Sequence, residues 1–257
     1  MPTALVTGPT SGIGRAFATR LASDGFDLVL VARNRDRLVE LADVIAASGV
    51  RCDVIPADLA DRTQLAEVEE RLADASSPVD VLVNNAGFTV GERFVGGDLA
   101  GQQTMIDVMV TGVMRLSHAA IPPMVERGYG SVINVSSVAS FLPFSTYSAA
   151  KAWVTTFTQA LATELHGTGV RTLALCPGFV RTEFHERAGL EVDRSNDTWW
   201  LEANDVVNTA FEDLRRGKVI SVPGFAYKSV VAGTHLLPRD VVRRTERFRR
   251  SRIAGRL

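Results

Sequence analysis

Tyr147 and Lys151 stand four residues apart in Tyr147-Ser148-Ala149-Ala150-Lys151, a spacing that puts both on one face of a helix. A free phenol titrates at about 10, too high for good proton exchange near neutral pH. An adjacent ammonium can lower that value by ~1–3 units. Ser137, at the close of a preceding apolar run, supplies a hydroxyl that could hold a substrate oxygen. Its neighbour Ser136 is the alternative: strand alternation turns the two to opposite faces, and the flanking residues favour Ser137. A Tyr-x-x-x-Lys pair alone occurs by chance in many helices, so its meaning depends on what accompanies it.

The first apolar run leads into Thr7-Gly8-Pro9-Thr10-Ser11-Gly12-Ile13-Gly14, and a helical pattern begins at once. Glycines let a backbone approach a pyrophosphate, and a helix N-terminus offers it unpaired N–H groups. A Walker loop is excluded because no Gly-Lys-Ser/Thr follows. The glycines run G-x-x-x-G-x-G, a spacing different from the common dinucleotide fingerprint; alone, the turn could be structural. At the end of the second run, where an acid would hold a ribose 2′-OH in an NAD site, Ala32 is followed by Arg33. A guanidinium pairs bidentately with phosphate, so Arg33, with Arg37 second, is expected to hold a 2′-phosphate. The alternative is a pair of solvated arginines, although cations at a helix start oppose its dipole. Asp58-Leu59 and Asn84-Asn85-Ala86-Gly87 leave the third and fourth runs and could line an adenine and its ribose.

In this order these segments, with Ile133-Asn134-Val135-Ser136-Ser137 and Pro177-Gly178-Phe179-Val180-Arg181-Thr182, resemble the short-chain dehydrogenase/reductase family over about the first 222 residues. The resemblance implies hydride transfer between NADP(H) and a carbonyl or secondary alcohol, NAD(H) being the less favoured cofactor. Tyr147 would be general acid in reduction and general base in oxidation, and Ser137 would polarise the carbonyl. Lys151, aided by the positive charge of oxidised nicotinamide, would lower the phenol's pKa and bond the nicotinamide ribose. Gly8, Thr10, Ser11, Gly12, Ile13 and Gly14 would cradle the pyrophosphate. Asp58 and Leu59 would meet adenine, and Asn85, Ala86 and Gly87 would border the adenosine half. Pro177, Gly178, Val180 and Thr182 would seat the nicotinamide. One departure stands out: Met109 occupies the position of the family's usual catalytic asparagine. A thioether lacks the amide's hydrogen bonds, but the main-chain carbonyl that holds the relay water is retained, so altered relay geometry is expected rather than loss of activity. A catalytically silent dinucleotide sensor or scaffold is the competing class, with Met109 its only support. Family habit also implies a homodimer or homotetramer through the helices bearing Met109 and Tyr147.

Positioning these residues requires a repeated β–α–β chain. Val/Leu/Ile-rich runs at 4–7, 27–32, 51–56, 79–84, 131–136, 171–176 and 218–222 read as strands buried on both faces. Helical patterns at 14–24, 36–48, 64–75, 103–127, 146–167 and 204–216 separate them. This order predicts an α/β Rossmann-like fold: a doubly wound parallel sheet of about seven strands with helices on both faces, a three-layer sandwich. Residues 1–257 are expected to form one domain, with 177–203 an irregular substrate loop and 223–257 a basic extension. Trp199, Trp200, Phe179 and Phe184 in that loop either wall an apolar substrate site or anchor the loop.

Composition fits this reading. A chain of 257 residues, 46% hydrophobic and 22% charged, needs no disulfide or metal to hold a core. Cys52 and Cys176 are expected to be buried thiols of a reducing compartment. The N-terminus carries no leader pattern and the apolar runs look too short to span a membrane, which points to the cytoplasm. His118, His166, His185 and His235 show no metal-ligand spacing, so no metal is expected. His185, within the loop, could touch substrate or lie exposed. Glu67, Glu69 and Glu70 read as a solvated helix face. From residue 239 onward eight arginines oppose Asp240 and Glu246, a balance of +6 that leaves −7 elsewhere in a chain of net −1. The spacing of Val241, Val242, Thr245 and Phe248 suits a docking helix. Nothing accompanies the arginines to indicate nucleic-acid binding. The tail resembles those of relatives acting on lipid-like carbonyls.

Overall fold

The computed structural model describes residues 1–90, 94–184 and 199–236. Seven strands form one parallel sheet in the order β3-β2-β1-β4-β5-β6-β9. They are β1 (Thr3–Thr7), β2 (Asp27–Ala32), β3 (Cys52–Pro56), β4 (Val81–Asn84), β5 (Gly130–Val135), β6 (Val170–Leu175) and β9 (Ile220–Ser221). Every residue of β1 after Thr3 and of β4 is buried, as a sheet covered on both faces demands. The order reverses between β1 and β4, and in such sheets ligands bind outside the carboxyl ends of the strands at that point.

Helices α1 (Gly12–Ser23), α2 (Arg35–Ala46) and α7 (Ala203–Arg215) build one apolar layer with the sheet. On the other face lie α3 (Arg62–Ala73), α4 (Leu99–Ile106), α5 (Val113–Arg127) and α6 (Thr146–Glu164). Asparagine or aspartate caps start several of them: Asn34 accepts from Arg37 N, Asp61 from Thr63 N and Gln64 N, and Asp98 from Ala100 N and Gly101 N. Each satisfies donors the first helical turn cannot. The sandwich expected from the sequence is the one observed.

Several expectations need correction. The helical pattern at 103–127 begins earlier, at Leu99, and is broken by a π-helical turn, Asp107–Gly112, around Met109. The composite helix Leu99–Arg127 matches a membrane span only in length and composition. Its apolar face instead packs on the sheet through Met105, Met109, Leu116, Ala120 and Met124. Glu69 does not simply face solvent: its carboxylate accepts from Arg115 Nε and Nη2, the latter at 2.7 Å, tying α3 to α5. The segment read as irregular contains a two-stranded ladder, β7 (Phe179–Val180) with β8 (Trp200–Leu201); strands this short leave no periodic signal. Helix α8 (Phe225–Leu236) occupies part of what reads as a tail. Cys52 is half-buried and Cys176 fully buried, both as free thiols. His185 and the docking pattern at 241–248 lie outside the described residues.

Candidate active site

The glycine-rich turn is held in shape from β4. Thr7 Oγ1 accepts from Asn85 N (2.9 Å) and Ala86 N (3.0 Å), while Asn85 Nδ2 donates to the carbonyls of Thr7 (2.9 Å) and Gly8 (3.0 Å). The Asn85 side chain thus braces the turn itself. Gly8 and Gly12 have φ of +64° and +54°, which side-chain-bearing residues rarely adopt. Gly14 meets a different demand: a Cβ there would sit 2.1 Å from the Gly8 carbonyl oxygen. The helix can therefore begin against the strand end, with Ser11 extended at its N-cap and no side chain capping the first turn. Backbone N–H groups facing a glycine cradle suit a pyrophosphate. The residues fit that group.

Beside this turn, Thr10, Arg15, Arg37, Glu40, Leu41 and Glu183 line a polar cleft of about 200 Å³. Arg33 is exposed at the end of β2. Arg37, named with it as a phosphate ligand, approaches Glu183 at 3.9 Å. Arg15 and Glu183 escaped the sequence reading, since no spacing links α1 to residue 183. Asp58 closes a turn by accepting from Ala60 N (3.0 Å), and its own N–H donates to Gln64. Leu59 is buried in the core.

At the carboxyl end of β5 the two serines part company. Ser136 is buried and donates to the Lys151 carbonyl (2.9 Å), with Thr155 Oγ1 at 2.7 Å, a structural role. Ser137 starts a 3₁₀ turn, Val138–Phe141, its hydroxyl accepting from Ala139 N at 3.1 Å, and it stands close enough to the Tyr147 phenol to lower the phenol's pKa. The Ser145 cap, accepting from Ser148 N, begins α6. One turn on, the buried Lys151 Nζ lies 5.8 Å from the Tyr147 ring centroid and donates to the Val135 carbonyl at 2.7 Å. Met109 is fully buried. A Cβ on Gly87 would stand 3.0 Å from its Sδ and 3.7 Å from Lys151 Nζ, so Gly87 borders the lysine end of the site.

The Tyr147 pKa departs from expectation. Burial pushes the phenol up to about 12, outweighing the Ser137 hydrogen bond. Burial also pulls the Lys151 ammonium down to about 8, and its short bond goes to a backbone carbonyl. Depth of burial, invisible in a Tyr-x-x-x-Lys spacing, reverses the direction.

Lys151 is consequently a cost to the fold. Its ordinary value of 10.5 falls to about 8 on folding, so below pH 8 the ammonium's burial costs of order 3 kcal/mol. The unfolded chain holds more protons between 8 and 10.5, and this penalty fades as pH rises through that window. Lys151→Met should be more stable relative to wild type at pH 7 than at pH 10, as read by urea unfolding. A stability difference independent of pH would contradict a depressed lysine.

The described end of the 177–201 segment closes over both halves of the site. Thr182 Cγ2 comes within 2.8 Å of where a Gly12 Cβ would be, and Phe184 lies 6.0 Å from the Tyr147 ring, centroid to centroid. Trp200 is buried against Phe179 (5.6 Å) and Trp199 packs edge-on to Tyr227 (5.5 Å). The tryptophans anchor the segment, and Phe184 walls the phenol. Among the described residues no His, Cys, Asp and Glu cluster could hold a metal.

A family model described as short chain dehydrogenase matches residues 2–192. The chain belongs to the short-chain dehydrogenase/reductase family and is an oxidoreductase of that class. It is 39% identical over 217 residues to sulfoacetaldehyde reductase 2 of Chromohalobacter salexigens, covering 80% of this chain and 86% of that one. A short-chain dehydrogenase of Sphingobium yanoikuyae, solved in complex with NADPH, superposes with a TM-score of 0.84 at 35% identity, over 92% and 94% of the two chains. The bulky-bulky ketone specific alcohol dehydrogenase of Comamonas testosteroni gives a TM-score of 0.77 at 32% identity, over 87% and 86%.

Proposed function

We propose that the chain is an NADP(H)-dependent carbonyl reductase and secondary-alcohol dehydrogenase in which Tyr147 handles the proton. What supports this most is the meeting of Ser137, Tyr147 and Lys151 at the strand ends beside the Gly8–Gly14 turn. A bound dinucleotide would supply the hydride in reduction and accept it in oxidation. Gly8, Thr10, Ser11, Gly12, Ile13 and Gly14 hold its pyrophosphate. Asp58, the Leu59 backbone and Ala86 line the adenosine half, with Asn85 bracing the turn and Gly87 toward the catalytic end. Pro177, Gly178, Val180 and Thr182 seat the nicotinamide.

Ser137 orients the carbonyl oxygen and Tyr147 donates a proton to it. A phenol held near 12 stays protonated throughout the ordinary pH range, which favours the acid role and hence reduction. The Lys151 ammonium lies close enough to stabilise the phenolate left behind. Phe184 beside the phenol favours a substrate with an apolar substituent, an aldehyde or ketone. Exposed Met114 and Val125 on α5, with the stacked Trp153 and Phe157 of α6, support a homo-oligomer joined through these helices. The two elements 1–222 and 223–257 are read as one domain and its extension.

NADP(H) is assigned from Arg33, an exposed guanidinium with no acid before it at the end of β2. Removing one charge-assisted contact to phosphate costs about 10- to 100-fold in affinity. Arg33→Ala should therefore weaken NADPH binding by that factor and leave NADH binding unchanged, measured by nicotinamide fluorescence titration. Equal losses for both cofactors would remove Arg33 as the selector.

A further inference from the structure

One side chain of α8 touches both ends of the segment that closes the site. The Tyr227 hydroxyl accepts from Phe179 N at 2.9 Å and donates to the Trp199 carbonyl at 2.6 Å. Both backbone groups flank the β7·β8 ladder, where Phe179 pairs with Trp200 and Arg181 N donates to the Leu201 carbonyl at 3.0 Å. The Tyr227 ring is buried to 4% exposure, and the chain passes over it at Gly178, where a Cβ would fall 2.0–2.2 Å from ring carbons. No residue but glycine fits that crossing. Gly224, at φ +83°, brings α8 in close enough that its own Cβ would be 3.0 Å from Leu201. A helix outside the seven-stranded sheet thus locks the two-stranded ladder at its base.

The ladder carries functional groups at its far end. Two residues beyond Val180, Thr182 packs on Gly12 of the dinucleotide turn. Two further on, Phe184 reaches the Tyr147 ring. The spacing between the Tyr227 hydroxyl and those contacts is only a few residues of chain, with the ladder's hydrogen bonds stiffening it. Losing the hydroxyl would leave the Phe179 N–H and Trp199 C=O without this partner and loosen the strand that sets both contacts.

We infer that Tyr227 is a positioning residue: by bonding the backbone at Phe179 and Trp199 it fixes where Thr182 and Phe184 stand against the dinucleotide turn and the catalytic phenol. The inference rests on the reading proposed above for what those two side chains meet. It gives the non-basic part of the C-terminal extension a task in the site.

Tyr227→Phe removes the hydroxyl and keeps the ring beneath Gly178. Loss of a buried hydrogen-bonding group corresponds to roughly tenfold in a local equilibrium. Amide hydrogen exchange in peptides spanning 177–184 should accelerate by about that factor, while peptides from β5 and α1 exchange as in wild type. In steady-state kinetics with NADPH and a ketone, KM for both should rise about five- to tenfold with kcat nearly unchanged, the signature of a displaced binding wall with intact chemistry. Unchanged exchange at 177–184 would overturn the inference, because the hydroxyl would then hold nothing. Equal acceleration across β5 and α1 would overturn it too, assigning the hydroxyl to global stability. A fall in kcat with constant KM would place Tyr227 outside this positioning role. Should the wild-type chain transfer no hydride at all, the exchange pattern alone decides this inference, and the failure belongs to the reading of the function.

Discussion

Tyr147→Phe should lower kcat/KM for carbonyl reduction by ~10²–10⁴, the range a positioned general acid supplies, without loss of dinucleotide binding. The substitution is clean because the ring's neighbours do not need the hydroxyl. Phe184 at 6.0 Å and Lys151 Nζ at 5.8 Å both address the ring, and the hydroxyl's neighbour is Ser137, whose influence lowers the phenol's pKa. The pH dependence follows from the same environment. A phenol raised to about 12 is a ready acid across neutral pH but is almost never ionised there. Reduction should therefore hold level from pH 6 to 8, whereas oxidation should climb with pH through that interval. At about pH 8 the Lys151 ammonium is half neutralised, and support for the phenolate falls away above that. Initial-rate profiles in both directions measure this. Oxidation that peaks at pH 6 would mean that another group takes the proton.

Gly14→Ala should be a severely damaging single methyl. The new Cβ would meet the Gly8 oxygen at 2.1 Å and Asn85 Nδ2 at 2.4 Å, the two atoms joined by the 3.0 Å bond that braces the turn. Both neighbours are fixed, so α1 must retreat from β1 or the brace must break. Overpacking with one lost hydrogen bond costs ~2–4 kcal/mol, a fall in Tm of about 4–16 °C for a chain of this size. Dinucleotide affinity should drop more than ~100-fold, because the first-turn N–H groups leave the cradle. Gly25→Ala provides the contrast. It has a φ of +84° but nothing within 4 Å of its Cβ, so it should cost only the backbone strain of about 1 kcal/mol and leave affinity intact. If Gly14→Ala bound dinucleotide like wild type, the cradle geometry would be wrong.

These two sites also mark what could be read without coordinates. The seven runs that became the sheet were legible because strands buried on both faces must be almost continuously apolar. The glycine turn was legible because its chemistry demands glycine. Alternation puts Ser136 and Ser137 on opposite faces and the flanking residues favour Ser137, while Ser136 is occupied by buried bonds with Lys151 and Thr155. Where the physics depends on depth or on distant backbone, the sequence was silent. The direction of the Tyr147 shift follows from burial, which no spacing encodes. The π-helical turn at Asp107–Gly112 carries no side-chain pattern of its own. Tyr227 acts on backbone groups 48 and 28 residues away, any of which looks ordinary in one dimension. The sequence leaves Arg37 free for a phosphate, yet an acid from the far segment, Glu183, faces it at 3.9 Å.

Met109 tests how far the family pattern binds this chain. Its thioether fills the space over Gly87 near Lys151, where an amide would have offered hydrogen bonds. The π-helical turn Asp107–Gly112 contains Met109, so its main-chain carbonyl belongs to an irregular stretch of helix.

The central claim is hydride transfer with Tyr147 as the proton donor. Its most direct test is the oxidation of NADPH, followed by loss of reduced-nicotinamide absorbance, against a panel of aldehydes and ketones with Tyr147→Phe in parallel. The account predicts turnover of at least one carbonyl by wild type and its near-complete loss in the variant, with NADPH still bound by both. Turnover that survives in Tyr147→Phe would contradict the mechanism, and tight NADPH binding without turnover of any carbonyl in a broad panel would contradict the function.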